Sequence, residues 1–265
     1  MDLGLGDATA VVVGGGRGMG LAAARCLADD GARVALIGRT ASVLDAAAEE
    51  LRGRGSPDAL PLVADTGDDA QVQRVFERVG ECWGGGLNIL INAVGPSVQG
   101  TFDELTDEQW RTAINEGALG MVRCVRAALP LLRAANWARI VNFAAQSTQR
   151  QSPRLSAYTA AKAMVVSVSK NLSMHLAPDE ILVNVVSPGS IASEALTGWA
   201  QTVGVDGADP YALMAAIDEH FGHPAHLPRA GLPDEIGPVV AFLASKRNSY
   251  MTGANVNVDG GSDFT

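Results

Sequence analysis

The chain has 265 residues, 47% hydrophobic and 18% charged, which is enough to bury a sizeable core and excludes a disordered chain. Its formal net charge of −9, with no run of Lys or Arg, excludes the clustered basic footprint that nucleic-acid phosphates require. No apolar run approaches the roughly 20 residues of a membrane span, and Met1-Asp2-Leu3-Gly4 opens neither a basic nor a long apolar leader segment, so the expectation is a cytoplasmic protein with no membrane partner.

The first apolar strand is expected over 8–13. It runs into Gly14-Gly15-Gly16-Arg17-Gly18-Met19-Gly20 and then an Ala-rich helix over 21–30. Gly31 ends that helix, and a second strand follows over 33–37. The alternation continues with a helix at 41–52, a strand at 60–63, a helix at 69–82 and a strand at 87–92. A helix begins near Thr106-Asp107-Glu108. The longest helix is expected over about 114–133, with Pro130 in its last turns, where proline kinks or shortens a helix. A fifth strand at 139–143, a helix at 156–176 ended by Pro178, and a sixth strand at 181–186 complete the regular pattern. A last helix at 234–245 and a last strand at 255–258 come after a long irregular stretch.

Strands alternating with helices at this spacing imply an α/β chain: a single doubly wound Rossmann domain over 1–265, its sheet mainly parallel and covered by helices on both faces. The irregular stretch at about 190–229 is long for a compact domain and reads as a substrate lid. Cys26, Cys82 and Cys124 have no metal-ligand or CxxC spacing and read as reduced thiols. His220, His223 and His226 lie in the lid without a supporting carboxylate or cysteine spacing, so no metal site is expected. Leu213, Met214, Ile217 and Phe221 form a helical apolar stripe there. It suits a lid over a mainly apolar substrate, or a lid packed only on its own domain.

Gly14, Gly18 and Gly20 follow the first strand and open a helix. A tight turn, a backbone that approaches a pyrophosphate and a helix N-terminus aimed at it all need such glycines. The second strand ends Ile37-Gly38-Arg39-Thr40. No carboxylate stands there to bind a ribose diol. Arg39, with Arg17 facing it, suits a 2′-phosphate instead, so NADP(H) is expected in preference to NAD(H). Tyr158 and Lys162 are one helical turn apart and share a face. A neighbouring cation lowers a phenol's pKa and fits it for proton transfer to a carbonyl or from an alcohol.

Taken together, these motifs resemble the short-chain dehydrogenase/reductase family, in its compact one-domain branch, along essentially the whole chain. The run Val13 to Gly20 is similar to the family's Thr-Gly-x-x-x-Gly-x-Gly, with Val13 for threonine, and brings in Gly14, Gly16, Arg17, Gly18, Met19 and Gly20 as cofactor contacts. Asp65-Thr66 resembles the adenine-contacting segment. Asn92-Ala93-Val94-Gly95 resembles the Asn-Asn-Ala-Gly support beneath the cofactor. Pro188-Gly189-Ser190-Ile191-Ala192-Ser193 resembles the segment that closes over the nicotinamide amide. The resemblance implies that Tyr158 is the acid/base and that Lys162 holds the nicotinamide ribose and depresses the tyrosine pKa. It also implies that Asn115 breaks its helix to orient a relay water, that a small molecule is the substrate, and that the protein is a homotetramer.

The sequence departs from the pattern in one place that matters. The family's carbonyl-polarising serine lies about thirteen residues before the tyrosine, and that position is Ala145. Three readings stand: Ser147 takes the role, Gln146 donates from its amide, or nothing replaces the serine. Glu116, after Asn115, is a second departure. The functional expectation is NADP(H)-dependent interconversion of a carbonyl and a secondary alcohol on a mainly apolar or cyclic substrate. The alternative is a cofactor-binding regulatory or structural member with weak or no catalysis, which Ala145 favours. The spacing of Tyr158 and Lys162 disfavours an enoyl reductase, whose spacing in the family is wider.

Overall fold

Apolar strands alternating with small-residue helices assemble, in the computed structural model, into one seven-stranded sheet. The structure describes residues 2–96, 98–222 and 224–262. His223 lies outside the described residues.

The strands are β1 (Thr9–Val13), β2 (Arg33–Gly38), β3 (Ala59–Val63), β4 (Ile89–Asn92), β5 (Ala138–Phe143), β6 (Ile181–Pro188) and β7 (Asn255–Val258). Their order is β3-β2-β1-β4-β5-β6-β7, and every neighbouring pair is parallel. The direction of winding reverses between β1 and β4. Such a switch point opens a crevice at the carboxyl ends of the strands, where ligands bind in open α/β sheets.

The helices are α1 (Gly18–Asp29), α2 (Ala41–Gly53), α3 (Asp69–Trp83), α4 (Asp107–Ile114), α5 (Gly120–Ala134), α6 (Ser156–His175), α7 (Glu194–Thr202), α8 (Pro210–Phe221) and α9 (Pro233–Ala244). Strand residues alternate between two cores. Ala10 and Val12 pack with Ala24 and Leu27 of α1, Leu44 and Leu51 of α2, and Ile236 and Val240 of α9. Val11 and Val13 pack on the other face with Val72 and Phe76 of α3, Met121 and Val125 of α5, and Val165 of α6. Central strands buried on both faces therefore read as continuous apolar runs.

The expected long helix at 114–133 is divided. Residues Asn115–Leu119 form a single π-turn between α4 and α5, so the longest uninterrupted helix among the described residues is α6, at 20 residues. Pro130 does not end α5, which runs on to Ala134. One lost backbone hydrogen bond is outweighed there by the buried face of Cys124, Val125, Ala128 and Leu132. Thr106 and Gln109 close a reciprocal capping box on α4, and Asp68 caps α3 through the N–H groups of Ala70 and Gln71.

A polar chain crosses the centre of the fold. Asn92 Nδ2 donates to Asn142 Oδ1 at 2.8 Å, and Asn142 Nδ2 donates to Ser169 Oγ at 2.9 Å. All three residues are buried, and together they tie β4, β5 and α6 where the site lies. Asn142→Ala strands a donor on Asn92 and leaves Ser169 without its partner. The expected loss is about 1–3 kcal/mol, read as a fall of several degrees in Tm or in the urea midpoint. An unchanged midpoint would show that the chain contributes nothing to stability.

Candidate active site

The glycine turn follows β1 because Gly14 leaves the strand at φ +78°, a conformation that side chains resist. Its amide donates to the Ile37 carbonyl at 2.8 Å, closing the turn against β2. A Cβ on Gly14 would lie 2.9 Å from the Ala93 carbonyl oxygen, and one on Gly20 would run into the Gly14 carbonyl. Gly18, at φ +55°, has open space where its Cβ would be. Bare backbone therefore faces a cleft of about 580 Å³ at the switch point, beside the N-terminus of α1. Such a cradle fits a dinucleotide pyrophosphate.

Most of the residues expected to hold a cofactor converge on this cleft. Gly14, Gly16, Arg17, Gly18 and Met19 line it from the turn, and Arg39 and Thr40 from the end of β2. Asp65 and Thr66 line it after β3, Ala93, Val94 and Gly95 after β4, and Ser193 from the lid side. Gly20 lies beneath the turn, and Asn92 is buried in the polar chain rather than on the wall. Pro188, Gly189 and Ile191 are not on the wall. Gly189 packs on Asp259, and Ile191 bridges to Gly231. Glu116, Glu194, Ala195, Val43 and Leu44 also line the cleft. Of these, only Glu116 stood out in the sequence.

Tyr158 and Lys162 occupy the first two turns of α6. Lys162 is buried, and its ammonium donates to the Val94 carbonyl at 3.0 Å and the Phe143 carbonyl at 2.8 Å. It thereby joins the ends of β4 and β5. Gly95 is needed for this approach, since a Cβ there would lie 2.8 Å from Lys162 Nζ. Burial pushes the Lys162 pKa down to about 8 and the Tyr158 pKa up to about 12. Desolvation thus favours the neutral form of both groups. These directions are those of the protein without its cofactor; the expected depression of the Tyr158 pKa involves the positive nicotinamide ring as well as the lysine.

Asn115 stands where the expected long helix is interrupted. It begins the π-turn, where its carbonyl accepts from the Gly120 N–H, and its side-chain oxygen accepts from Arg123 Nη2 at 2.8 Å. Its amide nitrogen faces Gly67, on the β3 side of the cleft. Gly117 of the π-turn packs closely on α6, where its Cβ would lie 2.9 Å from Ala161 Cβ. A π-turn shifts the helix face by one residue, which spacing alone could not reveal.

Ala145 lies two residues past β5, before the 3₁₀ turn Gln146–Thr148, and is buried. Ser147 is also buried, and its Oγ accepts from Thr159 Oγ1 at 3.1 Å. Gln146 is half-buried. Its Oε1 is buried with no partner, and its amide nitrogen makes no hydrogen bond among the described residues. Arg150 fastens this loop to the far end of the lid, donating to the carbonyls of Gly222, Pro224 and Ser262.

The lid is helical. Leu213, Met214 and Ile217 of α8 are buried with Ala200 and Ala230, and partly buried Leu196, Trp199 and Phe221 pack against them. The apolar stripe is therefore spent largely on joining α7 to α8. His220 Nδ1 pairs with the Ala216 carbonyl, and its ring meets Trp199 edge-on.

A family model described as enoyl-(acyl carrier protein) reductase matches residues 13–263. The meso-2,3-butanediol dehydrogenase of Serratia marcescens is 32% identical over 253 residues, covering 95% of this chain and 93% of its own. The oxidoreductase asL5 of Sarocladium schorii is also 32% identical, covering 96% and 94%. Among solved structures, the L-sorbose reductase of Gluconobacter frateurii, complexed with NADPH and L-sorbose, superposes with a TM-score of 0.92 at 30% identity, covering all of both chains.

The buried lysine gives a pH signature in the cofactor-free protein. Its folded pKa of about 8 lies below the unfolded value near 10.4, so between these values the unfolded chain binds more protons. Stability relative to Lys162→Met is then expected to rise from pH 8 to about 10. Unfolding midpoints for both proteins across that window test this, and a difference that stays flat would show that the ammonium is fully compensated by its two carbonyl partners.

Proposed function

The chain belongs to the short-chain dehydrogenase/reductase family, and from that premise we propose an NADP(H)-preferring oxidoreductase that interconverts a ketone and a secondary alcohol. The observation that carries this reading is the anchoring of Lys162 on Val94, a wall residue of the cleft, one helical turn from Tyr158. A nicotinamide cofactor supplies or accepts the hydride when bound. It would be held by the glycine turn and Arg17, by Arg39 and Thr40, by Asp65 and Thr66, by Ala93 to Gly95, and by Ser193. The preference for NADP(H) is supported by Arg17 and Arg39 on the cleft wall and by the absence of a carboxylate at the end of β2.

Tyr158 Oη carries the proton. Because burial keeps it a phenol, it is poised to donate to a substrate carbonyl oxygen. Oxidation of an alcohol needs the phenolate and therefore gains as pH rises. Lys162 fixes the helix that carries the tyrosine and keeps a cation beside it while protonated. Asn115 acts at a distance, through the π-turn that sets Gly117 against α6.

Of the two candidates to replace the missing serine, Gln146 is favoured. Ser147 is buried against Thr159, whereas the Gln146 amide nitrogen makes no hydrogen bond to described residues and can donate to the carbonyl. The substrate we propose is mainly apolar or cyclic, a reading carried by the sequence and not by the apolar cluster around Trp199 and Phe221, which packs on itself. The lid at about 190–229 and one domain over 1–265 belong to the same reading, as does a cytoplasmic homo-oligomer, a tetramer by family resemblance.

The test is NADPH oxidation across cyclic ketones and ketoses, with the reverse reaction on the matching alcohols. Turnover is expected to collapse in Tyr158→Phe. Wild-type turnover no faster than that variant's would favour a cofactor-binding role. Gln146→Ala is expected to lower kcat by about 10²–10³, while Ser147→Ala changes kcat little. The reverse ranking would transfer the role to Ser147.

A further inference from the structure

The two arginines of the cleft are not equally free. Arg39 lies on the wall with no carboxylate within ion-pair distance among the described residues. Arg17, at the N-cap of α1, is paired with Glu194. Glu194 is the first residue of α7, capped by Ser193 Oγ, which accepts from the Leu196 N–H. A carboxylate in a first helical turn is favoured by the helix dipole, so Glu194 is held where it meets Arg17. Both residues line the cleft, and their ion pair joins the glycine turn to the lid across it.

We infer that Glu194 is a specificity-determining residue that competes with a cofactor's 2′-phosphate for Arg17; this inference rests on the phosphate role proposed above for Arg17 and Arg39. A phosphate dianion placed between the arginines demands that Arg17 leave Glu194, whereas a ribose diol makes no such demand and leaves the ion pair intact. The pair is solvent-exposed, with side chains 53% and 71% accessible, so the competition is modest. It opposes the phosphorylated cofactor alone. Glu194 therefore narrows the preference that the two arginines create, and it keeps the site able to accept either cofactor.

Calorimetric titration of NADPH and NADH into wild type, Glu194→Gln, Arg17→Ala and the double variant tests this without turnover. In Glu194→Gln the Kd for NADPH is expected to fall about two- to fivefold, the worth of an exposed ion pair, while the Kd for NADH stays unchanged. In the Arg17→Ala background the same substitution should change neither. A wild-type preference for NADPH that Glu194→Gln leaves unaltered, or a shift equal for both cofactors, overturns the competition. Equal affinities for the two cofactors in both wild type and Glu194→Gln overturn the phosphate reading of the arginines itself.

Discussion

The site depends on one buried ammonium. Lys162 comes from α6, yet its hydrogen bonds go to the main-chain carbonyls just past β4 and at the end of β5. Burying a cation without a carboxylate partner is costly, and here charge-assisted bonds to two carbonyls offset that cost. Several other features permit this contact. Gly95 leaves room for the ammonium, and Gly117 lets the π-turn approach Ala161. The chain Asn92–Asn142–Ser169 holds the same three elements in register one layer below. Tyr158 inherits its position from all of this, because it lies one turn before Lys162 on the same helix.

The cleft wall carries charge of both signs. Arg39 and Arg17 line it together with Glu116 and Glu194, and Arg17 is paired with Glu194. A phosphate-bearing ligand is drawn by the arginines and by the N-terminus of α1, while the carboxylates temper that attraction. Burial is the cause of the shift in both Tyr158 and Lys162. The site therefore separates binding, which is electrostatic and open to water, from proton transfer, which is governed by desolvation.

Much of this was legible in the sequence because it is local. Apolar alternation located all seven strands, the glycine turn announced the crevice, and Tyr158 and Lys162 announced their shared face. The features that were not legible depend on contacts between distant segments or on a change of helical period. The π-turn inserts one residue into a helix whose composition looks ordinary, so spacing alone does not show that the Asn115 side chain meets Arg123. The lid stripe was clear, but only the packing of α7 on α8 reveals that it is consumed internally. The pairing of Arg17 with Glu194 spans most of the chain, and an isolated glutamate carries no signal of its partner.

The loss of the usual serine at Ala145 is tolerable for a reason that lies in the loop after β5. A donor can move along a segment only if that segment is held as firmly as the strand end it replaces. Here Gln146, Ser147 and Thr148 form a 3₁₀ turn just past β5, with Thr148 closing back on the Ala145 carbonyl. Arg150, just beyond that turn, ties the loop to three carbonyls of the lid and the C-terminal segment, and Gln149 accepts from Asn257 of β7. The loop is thus stretched between sheet, lid and terminus. One missing donor costs about 10²–10³ in rate, a small part of the roughly 10⁶-fold or greater acceleration typical of enzymes. On the reading proposed for Gln146, a turn tied in this way, with an amide nitrogen that makes no hydrogen bond among the described residues, recovers much of that loss without disturbing Tyr158 or Lys162.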